Sequence, residues 1–192
     1  MTPRRLHSIL SLPRLQSLTL GGIRRVDMDD GEIETLTRQT SSVEELSVDG
    51  KDVISLWNLG LHTSCPRVKK LELNYPQEEN VSSGIISMAC SPFHHLTQLH
   101  ITGKTTLNDP VSFCDAVKTS CPLLTNLCLW LIALNNDKAT EIIQLMKTHP
   151  HLTSIWLYQC FTNADLDPLI SEVNSEGKVT VTVTHGPEID EW

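Results

Sequence analysis

No apolar run in this sequence approaches the roughly 20 residues needed to span a bilayer, so membrane insertion is not expected. Basic residues are in the minority, with 15 Lys and Arg against 23 Asp and Glu and a formal charge of −8. Without a cationic field, nonspecific binding to nucleic acid or to anionic membranes is disfavoured, and a basic ligand suits the chain better. Also missing are the strings G-x-x-x-x-G-K-[ST], G-x-S-x-G, H-E-x-x-H and C-x-x-C. With them go the phosphate-cradling loop, the nucleophile elbow, the zinc helix and the redox dithiol. The chain therefore reads as a protein with no catalytic residues, no cofactor and no metal. Aromatic residues make up only 5% of it, so any place where they gather is informative.

What is present is a recurring string, apolar-x-x-apolar-x-apolar. Its central positions are Leu18, Leu46, Leu71, Leu99, Leu127, Ile155 and Val181, an almost constant step along the chain. The last turn is weaker, with Lys178 in the first slot, but Val179, Val181 and Val183 alternate with threonines as in an edge strand. Between the strings the period lengthens to about 3.6, the signature of an amphipathic helix. Ala139, Ile142, Ile143 and Met146 form one stripe in the segment Asn136 to Thr148, with Asn136 as the N-cap and Asp137 in the first turn. Phe113, Cys114 and Val117 form another behind Asp109-Pro110, a polar cap with proline at the first helical position. Leu166, Leu169, Ile170 and Val173 repeat it. Helices are further expected over Val53 to Leu61, with Trp57 in the core, and over Val81 to Cys90, and a turn or two around Ile33 and Leu36.

A strand and a helix within so short a repeat cannot close their apolar faces on each other, so neighbouring repeats must stack. The expected fold is α/β: a curved solenoid of about seven parallel strands on the concave face, with helices on the convex face. One domain covers 1–192, divided into an N-terminal cap or partial repeat (1–14), six repeats (15–176), a terminal strand (177–184) and an acidic tail (185–192). Arg4 to Leu10 is expected to supply a short helix. The apolar residues of Met1 to Leu12 are interrupted by His7, Ser8 and Ser11, so no secretion signal is read there. Since solenoids need capped ends, the chain is expected to be a fragment of something longer.

Six cysteines do not make a disulfide framework here. Cys65 and Cys121 occupy the same Ser-Cys-Pro string two repeats apart, at about twice the strand spacing of roughly 4.8 Å and beyond disulfide reach. Reduced, mostly buried thiols and a cytoplasmic location are expected. The sequon Asn80-Val81-Ser82 would matter only in a secreted chain. His94-His95 and His149-Pro150-His151 flank strands without a matching ligand set, and read as solvated loop histidines.

Residues alternating with the buried leucines face the concave surface. They form three lanes. Glu45, Asp49 and Glu72 make the early strands acidic, whereas Trp130, Trp156 and Tyr158 gather on the late ones, with His100 and Asn126 between the two groups. An exposed aromatic cluster rimmed by polar groups has the composition of a protein-binding hot spot. These eight residues are the candidate partner-binding site. The acidic tail Glu188-Ile189-Asp190-Glu191-Trp192 either folds back over the last strand or dangles, and the alternative for the three aromatics is packing on His185 to Trp192.

Repeats of this length with a long helix resemble the ribonuclease-inhibitor class of leucine-rich repeats, which also forms the C-terminal domain of NOD-like receptors. Leu152, Ile155, Leu157 and Cys160 fit the L-x-x-L-x-L-x-x-[N/C] consensus, whereas that last position holds Ile23, Lys51, Pro76, Lys104 and Ile132 in the other repeats. An irregular ladder is expected there. The degeneracy looks more like an NOD-like receptor than the ribonuclease inhibitor itself. The resemblance implies a noncatalytic sensing or autoinhibitory module that holds a protein or microbial ligand on the concave face, or clamps a neighbouring domain of its parent chain. The alternative is an intracellular adaptor, such as the substrate receptor of an F-box-type ubiquitin ligase, or a ribonuclease-inhibitor-like blocker.

Overall fold

Every one of the repeated strings becomes a strand. The computed structural model describes residues 3–21, 40–75, 80–160 and 166–184. In it β1 (Ser17–Leu20), β2 (Glu45–Asp49), β3 (Lys70–Asn74), β4 (Gln98–Thr106), β5 (Asn126–Ala133), β6 (Ser154–Tyr158) and β7 (Thr180–Thr184) pair in chain order as one open, seven-stranded parallel sheet. Leu18, Leu46, Leu71, Leu99, Leu127, Ile155 and Val181 lie directly beside one another across it. The repeat step thus sets the register, and the expected α/β class with parallel strands is what forms.

Helix α1 (Pro3–Leu10) precedes β1, and the connections carry α2 (Val53–Asn58), α3 (Leu61–Ser64), α4 (Ser83–Cys90), α5 (Pro110–Ser120), α6 (Asn136–Met146) and α7 (Asp167–Ser175). Their apolar stripes and the strand leucines form one continuous core. Phe113, Val117, Ile142, Ile143 and Met146 are all fully enclosed in it, each side chain contributing about 2 kcal/mol of burial. In α1, Leu6 and Leu10 are buried in the same core as the leucines of β1. Trp57 is buried as expected, edge-on to Phe93 at 5.8 Å, and donates its indole N–H to the Met88 carbonyl at 3.0 Å. No helix among the described residues is long and apolar enough to cross a membrane.

Local structure departs from the sequence reading in four places. The helix expected over Val53 to Leu61 is two short ones, because Gly60 takes a left-handed turn (φ 76°) between them. The N-cap of α6 is Asn135 rather than Asn136, its side chain accepting from the Lys138 amide at 2.9 Å. Asparagine at both positions made the choice ambiguous. Val81 is buried ahead of α4, which starts only at Ser83. His149 is not a solvated loop residue but a buried one, donating from Nε2 to the Cys121 carbonyl (3.0 Å) and accepting at Nδ1 from the His151 amide (3.3 Å). By contrast Asp109 caps α5 as expected, Oδ1 accepting from the Ser112 amide at 3.0 Å. The segment around Ile33 and Leu36, the consensus positions Ile23 and Pro76, and the tail His185 to Trp192 lie outside the described residues.

Two features of the sheet bear on the site. After a bulge, β4 and β5 continue to pair beyond their neighbours, Thr105 with Ile132 and Thr106 with Ala133, in the region where consensus Asn or Cys is lacking. At the opposite edge, Thr180 and Thr184 of β7 turn their backbone groups toward β6, so those of Val181 face outward. The Asn174 side chain meets both, accepting from the Val181 amide (2.7 Å) and donating to its carbonyl (3.3 Å).

Candidate functional site

One face of the sheet carries the helices; the other is open, and alternate strand residues stand on it. Trp130, Trp156 and Tyr158 are exposed there at 45%, 44% and 40%, among the largest apolar exposures of any described residues. Trp130 and Tyr158 are register partners on β5 and β6, with ring centroids 6.0 Å apart in an edge-to-face arrangement. The Trp130 indole N–H donates to Oε1 of Gln159 at 3.2 Å. Trp156 stands earlier on β6, beside Cys128 and Thr182.

The backbone under this cluster is unusual. Gly103, Leu131 and Gln159 all have positive φ (134°, 61° and 53°), one repeat apart, each immediately after the third open-face residue of its strand. A left-handed residue other than glycine costs about 1 kcal/mol or more, and such costs collect where a structure presents side chains for use. Trp130 and Tyr158 thus stand at the last regular position before the backbone turns. Gly103 has a second reason to be glycine: a Cβ there would lie 1.8 Å from the Tyr75 carbonyl oxygen. Sequence reasoning missed this column; the one available signal was the equal spacing of the three positions along the chain.

The remaining candidates are spread over the earlier strands. Glu45 is exposed, but stands directly opposite Lys70. Asp49 and Glu72 are half-buried, beside Asn74 and His100 respectively. The early strands are therefore a mixed patch with Lys70 among the carboxylates. Away from this patch Lys69 pairs with Glu44 at 3.0 Å, and Lys147 with Glu176 at 3.4 Å. Asn126 is half-buried between Gln98 and Ser154. A polar chain also missed from sequence crosses the floor: Thr102 donates to Asn74 (2.6 Å), which donates to Ser47 (2.8 Å).

Two groups on the open face, His100 and Cys128, are pushed toward neutrality. Burial, aided by Lys70 and opposed by Glu45, lowers the His100 pKa below its ordinary value. Burial raises that of the Cys128 thiol, and Glu72 raises it further against Lys70. The other five described cysteines are free of disulfides and buried. Burial pushes Cys114 and Cys160 up to about 12, leaving little thiolate for nucleophilic chemistry. Cys160, in the consensus position, hydrogen-bonds the Leu129 carbonyl through its thiol at 3.2 Å.

The chain matches no protein-family model and no curated protein. His94, His95 and His151 are exposed, and the described residues hold no cluster of three or more His, Cys, Asp or Glu that could take a metal ion.

Proposed function

We propose that this chain is a noncatalytic recognition module, a leucine-rich repeat solenoid of the ribonuclease-inhibitor type that holds a protein ligand on its helix-free face. One observation carries the reading: two tryptophans and a tyrosine, each 40% exposed or more, gathered on adjacent strands, with the Trp130 indole hydrogen-bonded to Gln159. Each such anchor contributes on the order of 2 kcal/mol when a partner desolvates it. The nearly constant repeat step and the in-register parallel sheet with helices on one face support the repeat class. Within that class, the degenerate consensus favours the sensing or autoinhibitory domain of a cytoplasmic NOD-like receptor. Its mechanism is steric: the face clamps a neighbouring domain until a microbial or protein ligand competes.

The test compares capture of partners from host-cell and bacterial lysates by the wild-type chain and by a Trp130→Ala, Trp156→Ala, Tyr158→Ala variant whose circular dichroism is unchanged. Loss of a specific partner supports the reading, and undiminished capture by the folded variant refutes it.

A further inference from the structure

Four open-face residues line up across the middle of the sheet. Glu72 on β3 is the register partner of His100 on β4, His100 of Cys128 on β5, and Cys128 of Trp156 on β6. The track begins at a carboxylate and ends at an exposed indole. Between them stand two half-buried groups, which burial keeps uncharged near neutral pH. Three strand steps of about 4.8 Å put the ends about 14 Å apart, which an extended chain covers in about four residues.

From this geometry we infer that the open face selects an extended peptide lying across the strands, with a lysine or arginine at Glu72 and a leucine about four residues away against Trp156. The inference rests on the recognition reading above and specifies its ligand. Charge complementarity favours this occupant. The chain carries a net −8, and the exposed face of the Trp156 indole takes an apolar side chain. Lys70 faces Glu45 directly across the strands, so Glu45 is the carboxylate it offsets most closely. In the next lane Thr102 donates to Asn74, which donates to Ser47. The Trp130 and Tyr158 pair stands beside the leucine position as a fixed wall.

Synthetic nine-residue peptides in a Ser/Gly background, titrated calorimetrically into the full chain, test this. One pair carries Arg and Leu four residues apart, in either order; comparators shorten the spacing to two, replace Arg by Glu, or replace Leu by Ser. At least one of the four-residue peptides is expected to bind at least tenfold tighter than all comparators. Glu72→Gln should equalise the Arg and Glu peptides while sparing the dependence on Leu, and Trp156→Ala should do the reverse, each with unchanged circular dichroism. If the wild-type chain treats the peptides alike, or binds none, the inference is overturned. Loss of a lysate partner by the triple aromatic variant would still support the broader reading, whereas its retention would remove both.

Discussion

Trp130 donates its indole N–H to the side chain of Gln159, a residue one strand away whose own backbone is left-handed at φ 53°. A strained residue thus orients an exposed one. Replacing Gln159 by Gly relieves a left-handed cost of about 1 kcal/mol and removes an exposed hydrogen bond of similar size. Gln159→Gly is therefore expected to shift Tm by less than about 4 °C, while Trp130 fluorescence anisotropy and partner capture both fall. A large loss of stability would show that Gln159 holds the sheet rather than the indole.

Two glycines with positive φ separate conformation from crowding. Gly103 (φ 134°) would place a Cβ 1.8 Å from the Tyr75 carbonyl oxygen, whereas Gly177 (φ 70°) has nothing within 4 Å. Gly177→Ala should cost about 1 kcal/mol in urea unfolding, from the backbone alone. Gly103→Ala should cost about 3 kcal/mol or more, because the Tyr75 amide bond to Thr102 (2.7 Å) must shift as well. Equal losses would contradict the crowding.

Stability should decline on mild acidification. Burial holds the pKa values of His62, His100 and His149 below their ordinary value of 6.5. The unfolded chain therefore binds more protons as pH falls through about 6.5, and stability is lost from there down to the folded-state values. His149 has a direct structural reason: a proton on Nδ1 would oppose the His151 amide that now donates to it. The urea midpoint at pH 5.5 is expected to lie below that at pH 7.5, with a smaller difference in His149→Gln. A flat profile in the wild-type chain would overturn this.

Thiol accessibility follows burial. Cys128 is half-buried on the open face, while Cys65, Cys90, Cys114, Cys121 and Cys160 are buried. A thiol-reactive probe at pH 7.5 should label Cys128 slowly and the other five only on unfolding, as peptide mass spectrometry would show. Fast labelling of any cysteine would reopen a nucleophilic role for it.

Strand placement was legible in the sequence because the repeat step and the period-two alternation both specify it, and all seven central apolar positions fall into one register. Asp109 was legible as a cap because Pro110 follows it. His149 was not: a histidine beside proline reads as loop, and only the stacked neighbouring repeat supplies the Cys121 carbonyl that buries it. Gly60 broke a helix whose apolar spacing continued through it. On the open face, alternation was sufficient to expose Trp130, Trp156 and Tyr158. The left-handed column beneath them was invisible, because leucine and glutamine give no local sign of positive φ.

The carboxamide of Asn174 occupies the outer hydrogen-bonding positions of Val181, where another parallel strand would dock. Lengthening this protein by appending a repeat after β7 would first require breaking that pair. Duplicating a unit between β3 and β6 would leave it intact. Inserting a repeat between existing strands is thus the route that keeps the Asn174 contact with Val181.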